Sequence, residues 1–211
     1  TMGRKPAVAS MAPSARPDRS YSVSGEQPKG VGQKPAPLVP ATDLRAVAIH
    51  EAAHAAVGVV LGGAFARVEL SADGGGRCTF ADLNPGADAR QHLIAAAGPI
   101  AQAVYLHGPH PSFGQIVGLL GAGRGSDREV LHRKALETGD VLVPTTKVLP
   151  LVLRLWPAIC TLAVDLDDGK WVGHKHVTAA LGLSNNSQLH SFELANLVAG
   201  LRQVPDPTVP R

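Results

Sequence analysis

Apolar positions along the chain fall into runs that suit helices and short strands. From Leu44 to Leu61 the sequence is rich in Ala and Val, and Val47, His50, His54 and Leu61 recur at spacings that share one helix face. Thr42 is a good N-cap, Asp43 suits the first turn, and Gly62-Gly63 stops the run. Ala66–Leu70 and Arg77–Phe80 read as two short strands, and Asp73-Gly74-Gly75-Gly76 supplies the turn of a hairpin. A second helix is expected from about Asp88 to Leu106, broken or kinked at Gly98-Pro99 because proline cannot donate to the preceding turn.

The stretch from His107 to Gly125 is rich in Gly and Pro around an apolar centre, Ile116–Leu120, and reads as a long loop with room for one helical turn. Ser126-x-x-Glu129 makes a capping box that opens a third helix, running to about Thr138. A fourth runs from Thr145 to about Val164, bent or divided at Pro150 and Pro157. Short helices are expected over 174–182 and from Ser191 to Gly200. The expected architecture is mainly α (α+β), with a small hairpin or sheet beside the first helix.

The first forty residues break this regularity. They hold seven prolines with many Ser, Gly and Ala, and nothing in them recurs at a period of 3.6 or 2. Such a segment buries too little apolar surface to offset its ordering entropy. The organisation expected is a basic arm over 1–40, a folded domain over 41–203 and a loose tail over 204–211.

Composition changes this picture only slightly. The 211 residues are 45% hydrophobic and 18% charged, as in globular domains, and only 4% aromatic, so the core is built from aliphatic side chains. The net charge of +3 belongs to the arm. Its six basic and two acidic residues leave 14 basic against 15 acidic in the rest. A nearly neutral folded part weighs against nucleic acid as the partner. No run of about 20 uninterrupted apolar residues suggests a membrane span, and no signal-peptide pattern follows the basic start. Cys78 and Cys160 are far apart and fit two buried thiols in a reducing cytosol better than a disulfide.

The chemistry lies in His50-Glu51-Ala52-Ala53-His54, an HExxH sequence inside the first helix. Residues four apart share a helix face, so both imidazoles can reach one ion, with Glu51 beside it to take a proton from a metal-activated water. Zinc suits a shell of two imidazoles and an oxygen, and one ion per chain is expected. A catalytic zinc site needs a third protein ligand, and no third histidine follows at the short spacing some HExxH enzymes use. Asp127, Glu129, Glu137 and the later histidines remain candidates on composition and spacing. The other histidines (His92, His107, His110, His132, His174, His176) read as surface or cleft positions, and Tyr105 as a packed ring.

The residues Ala48-Ile49-His50-Glu51-Ala52-Ala53-His54-Ala55 resemble the AxHEAGHA motif of FtsH-like zinc peptidases. Three shorter segments follow in that family's order. They are Val68-Glu69-Leu70 with Gly76-Arg77-Cys78-Thr79-Phe80, then Ala96-Ala97-Gly98-Pro99-Ile100-Ala101-Gln102, then Gly125-Ser126-Asp127-Arg128-Glu129-Val130-Leu131. The resemblance covers about residues 46–138. It implies a zincin-like domain in which His50, His54 and Asp127 hold zinc and Glu51 is the general base. It also implies that an extended peptide pairs with the hairpin at Arg67, Val68, Glu69 and Leu70 or at Arg77, Cys78, Thr79 and Phe80. Ala53 stands where that family has Gly, and Gln102 where it often has Glu. No ATPase module and no membrane anchor accompany the motifs, so the implied protein is a stand-alone cytoplasmic peptidase, an endopeptidase rather than an exopeptidase. A second reading keeps the fold and drops turnover, giving a peptide-binding or regulatory module.

Overall fold

The computed structural model describes residues 43–71, 74–83, 89–122, 126–139, 142–184 and 187–205. The arm over 1–40 lies outside the described residues. Helix α1 spans Leu44–Val60 and is the centre of the domain. Its cap is Asp43, whose carboxylate accepts from the backbone N–H groups of Arg45 and Ala46. The start is therefore one residue later than the Thr42 cap expected from sequence, and Thr42 itself lies outside the described residues. The helix ends as expected, with Gly62 in the left-handed region at φ 93°.

α1 carries no single apolar stripe. Thirteen of its 17 residues are buried, including every alanine from Ala46 to Ala56. A helix apolar on all sides is a core helix, so the amphipathic reading of this run is corrected. Small side chains let α2 (Gln91–His107), α5 (Thr145–Asp167) and the sheet pack against it on different sides. Ala53, where the resembled family has glycine, is fully buried and is accommodated in this core.

The hairpin is longer than the sequence suggested. β1 spans Gly63–Leu70 and β2 spans Gly76–Leu83, paired antiparallel, with register shifts around Phe65. A two-residue strand β3, Val172–Gly173, which the sequence did not reveal, pairs with β1 at Arg67 and Val68. The sheet order is therefore β2-β1-β3, with β1 in the middle. β2 lies over α1. Phe80 sits against Gly58, so closely that a Cβ there would overlap the ring, and β2 opens at Gly76 over Glu51.

Three expectations about helices need correction. α2 and α5 run unbroken through Pro99, Pro150 and Pro157. Each proline removes one backbone bond, but packing against α1 holds the helix together. The expected loop after His107 contains a ten-residue helix, α3 (Phe113–Ala122). α4 (Ser126–Thr138) follows the expected bounds, α6 (His174–Ala180) lies within its expected span, and α7 (Ser187–Ala199) begins four residues earlier than expected. The mainly helical α+β class stands.

α5 also qualifies the membrane reading. An 18-residue window of it has mean hydropathy 1.6, so by length and composition it could cross a bilayer. Its inner face, including Val148, Val152, Leu155, Ile159, Leu162 and Leu166, is buried in the common core. Both cysteines are free and half-buried. Val204 is buried too, so packing reaches the end of the described chain.

Candidate metal centre

Two ionisable residues are buried inside α1, Glu51 at 8% exposure and His54 at 6%. Ionisable groups in an aliphatic core cost free energy unless they are partnered, so their partners identify the site. His50 and His54 lie one turn apart, with ring centroids 4.8 Å from each other and planes near perpendicular. Their Nε2 atoms converge on one oxygen. Asp127 Oδ2, from the first turn of α4, lies 3.1 Å from His50 Nε2 and 3.1 Å from His54 Nε2.

α2 orients both rings from behind. His50 Nδ1 lies 3.1 Å from Gln102 Oε1 and His54 Nδ1 lies 2.8 Å from the carbonyl oxygen of Ile94. Both acceptors are oxygens, so each ring donates from Nδ1 and directs Nε2, the lone-pair nitrogen of the neutral ring, at Asp127. This is the tautomer that metal-binding histidines require. Gln102, at the position where the resembled family often has Glu, thus orients His50. The Ile94 carbonyl had no sequence signal, because every residue has one.

The charges agree with the geometry. Burial alone would push the His54 imidazole down. The Asp127 carboxylate, by charge and by hydrogen bond, together with Glu51 and the Ile94 carbonyl, outweighs it and pushes the group up to about 9. Burial would likewise raise Asp127, but the His54 charge and hydrogen bonds from both imidazoles hold it well below the usual carboxylate range. In its protonated form His54 donates from Nε2 to the Asp127 carboxylate.

The donor set fits a divalent cation. Two imidazole nitrogens and a carboxylate oxygen lie within 4.8 Å of one another. For ligand bonds near 2.0–2.1 Å, the edge of a zinc tetrahedron is about 3.3 Å, close to the two 3.1 Å separations. Of the candidate third ligands, Asp127 reaches the histidines. Glu129 and Glu137 are exposed on α4, where they line a surface hollow of about 530 Å³ with His132, Arg133 and Leu136. Cys78, on β2, feels the charges of Glu51 and Asp127. Burial first, then those two charges, pushes its thiol up.

The remaining expected residues sort by exposure. His107 and His110 are exposed, His92 and His174 are half-buried, and His176 is exposed with its ring edge-on to Trp171. Tyr105 is 39% exposed rather than a packed ring. On the sheet, Arg67 pairs with Glu69 at 2.5 Å and lies over the Trp171 ring, so both charged side chains of β1 are engaged. The backbone of Arg67 and Val68 already pairs on both sides. Glu69 and Leu70 pair with Arg77 and Gly76. Among the described residues, β2 is an edge strand that carries Arg77, Cys78, Thr79 and Phe80 and begins at Gly76 against Glu51.

No curated protein is significantly similar to the chain. Residues 31–108 match the Peptidase M50B-like family, a segment that takes in α1, the hairpin and α2 but stops short of Asp127. The match does not single out the FtsH-like peptidases that the motifs resemble. What it supports is a metallopeptidase family for this chain, in agreement with a His-His-Asp cluster able to hold a metal ion.

Proposed function

We infer that the chain is a zinc-dependent peptidase in which His50, His54 and Asp127 hold one ion and Glu51 is the general base. The observation that carries this reading is the approach of both Nε2 atoms to a single Asp127 oxygen, beside a buried glutamate. When bound, zinc polarises the scissile carbonyl and lowers the pKa of a coordinated water to about 7. Glu51 then takes the proton of the attacking water and returns it to the leaving amine. Gln102 and the Ile94 carbonyl hold the imidazoles in one tautomer throughout.

The substrate is an extended peptide that adds to the outer edge of β2, with its backbone pairing along Arg77–Phe80. That edge leads to Gly76 and so to Glu51, which brings the scissile bond to the base. Recognition through backbone favours an internal stretch of unfolded protein, hence endopeptidase activity. The FtsH-like order of motifs supports the assignment of Asp127, which lies beyond the matched segment.

An unfolded protein such as reduced casein is the appropriate substrate. The chain loaded with zinc should cleave it, a chelator should stop cleavage, and Glu51→Gln should keep the metal while turnover falls by about 100-fold or more. Cleavage by Glu51→Gln at the parent rate would remove Glu51 from the mechanism. Metal binding and casein binding without any cleavage would leave the peptide-binding module as the function.

A further inference from the structure

Two glycines touch the candidate site, and neither is needed for its backbone conformation. Gly98 lies inside α2 and Gly76 opens β2, and neither has a positive φ. A glycine inside a helix costs about 1 kcal/mol relative to alanine. Its presence at 98 therefore calls for a reason in the space around it. A Cβ at Gly98 would lie 2.5 Å from Nε2 of His50, 2.5 Å from Nε2 of His54 and 2.6 Å from Cδ2 of His50. A Cβ at Gly76 would lie 2.3 Å from Cγ of Glu51 and 2.7 Å from both its Cδ and Oε1.

We propose that Gly98 and Gly76 are positioning residues, the bare Cα of Gly98 letting the two imidazoles converge on one ion and that of Gly76 letting the Glu51 carboxylate lie beside it. The proposal deepens the metallopeptidase reading and rests on it. The two positions differ in what can yield. The imidazoles are anchored through Nδ1 to Gln102 and Ile94, which belong to the same helix as Gly98. α2 therefore grips the far side of each ring and is bare where the metal-facing edges meet. A methyl at 98 forces those edges apart or breaks the Nδ1 bonds. Glu51 is unbranched and can change rotamer, so a methyl at 76 displaces its Cγ and with it the carboxylate. One methyl group at either place thus separates ion binding from proton transfer.

Cobalt(II) is the probe, because its visible spectrum reports binding and geometry directly. The full chain, Gly98→Ala and Gly76→Ala are titrated with it. Their thermal midpoints and casein kinetics are measured alongside. The parent should bind one ion. Gly98→Ala should stay folded and bind it at least about 10–100-fold more weakly, as expected when ligand orientation is lost. Gly76→Ala should bind as the parent does, with kcat lowered about 100-fold and KM held. Parent-like affinity in Gly98→Ala, with the parent itself binding, overturns the Gly98 assignment and leaves the metal site standing. Lost cobalt binding or unchanged kcat in Gly76→Ala overturns the Gly76 assignment. A parent that binds no cobalt overturns the metal reading and this proposal with it. If Gly98→Ala does not fold, adding His50→Ala and His54→Ala removes the opposing rings and should restore folding. Failure to restore it shows that the rings are not what the methyl meets, and overturns the Gly98 assignment.

Discussion

At the scale of residues, the site is a buried charge problem with one solution. His54 and Glu51 sit in a core of alanines and valines, and Asp127 reaches in from α4 to pair with His54 and His50. His54, raised from 6.5 to about 9, contributes stability that is complete below pH 6.5 and is lost as pH rises through about 9. Asp127, depressed from 3.8, contributes stability that is complete above pH 3.8 and is lost as pH falls towards its folded value. The metal-free protein should therefore show its highest thermal midpoint between about pH 4 and 6.5, declining towards pH 9. A metal ion displaces the proton on Nε2, so apparent metal affinity should rise with pH over that upper window. Scanning calorimetry across pH, with and without cobalt, checks both trends. A midpoint in chelator that climbs from pH 6.5 to 9 would contradict the pairing of His54 with Asp127.

These residues were unequally legible in the sequence. His50, Glu51 and His54 follow from helical spacing, because local geometry fixes which side chains share a face. Asp127 did not: 73 positions separate it from His54, and composition left it level with Glu129 and Glu137 until a family resemblance favoured it. The Ile94 carbonyl was invisible, being backbone. Gly98 and Gly76 stood within noted motifs, but what a glycine leaves empty is apparent only when its neighbours are in place.

At the scale of elements, the sequence located most helices and misjudged their interruptions. Proline at 99, 150 and 157 suggested breaks that tertiary packing overrides. The glycines of α3 suggest a loop, although Ser112-x-x-Gln115 carries a start signal. Ser112 Oγ accepts from the Gln115 N–H at 3.3 Å, and Gln115 Oε1 accepts from the Ser112 N–H at 2.7 Å, a reciprocal capping box. Ser112→Ala should lower stability by about 1 kcal/mol without changing metal affinity. Urea unfolding measures it, and an unchanged midpoint would mean that α3 does not depend on its cap. β3 escapes notice because two residues carry no periodicity, yet it makes β1 a central strand and leaves β2 at a sheet edge.

At the scale of the molecule, one Ala-rich helix organises everything else. α1 meets α2, α5 and the sheet, and the cluster of His50, His54 and Asp127 joins α1 to α4, so an ion held there would tie the two helices together. Binding to the folded state alone stabilises it by about 2.7 kcal/mol at 100 times the dissociation constant. For a chain of this size, about 2–4 °C per kcal/mol gives a rise of roughly 5–10 °C in thermal midpoint on zinc loading, reversed by chelation. A midpoint indifferent to metal would dissociate the ion from the fold. Aromatic-poor composition and the long apolar α5 belong to the same design, in which small and aliphatic side chains allow close helix packing.

The identity of the atoms around the ion is the most direct test. X-ray absorption at the zinc edge, on the full chain carrying one equivalent, should show two imidazole nitrogens and oxygen at about 2.0–2.1 Å, and Asp127→Ala should lose an oxygen scatterer. A shell without imidazole scattering, or with sulfur at about 2.3 Å, would contradict a site built from His50, His54 and Asp127.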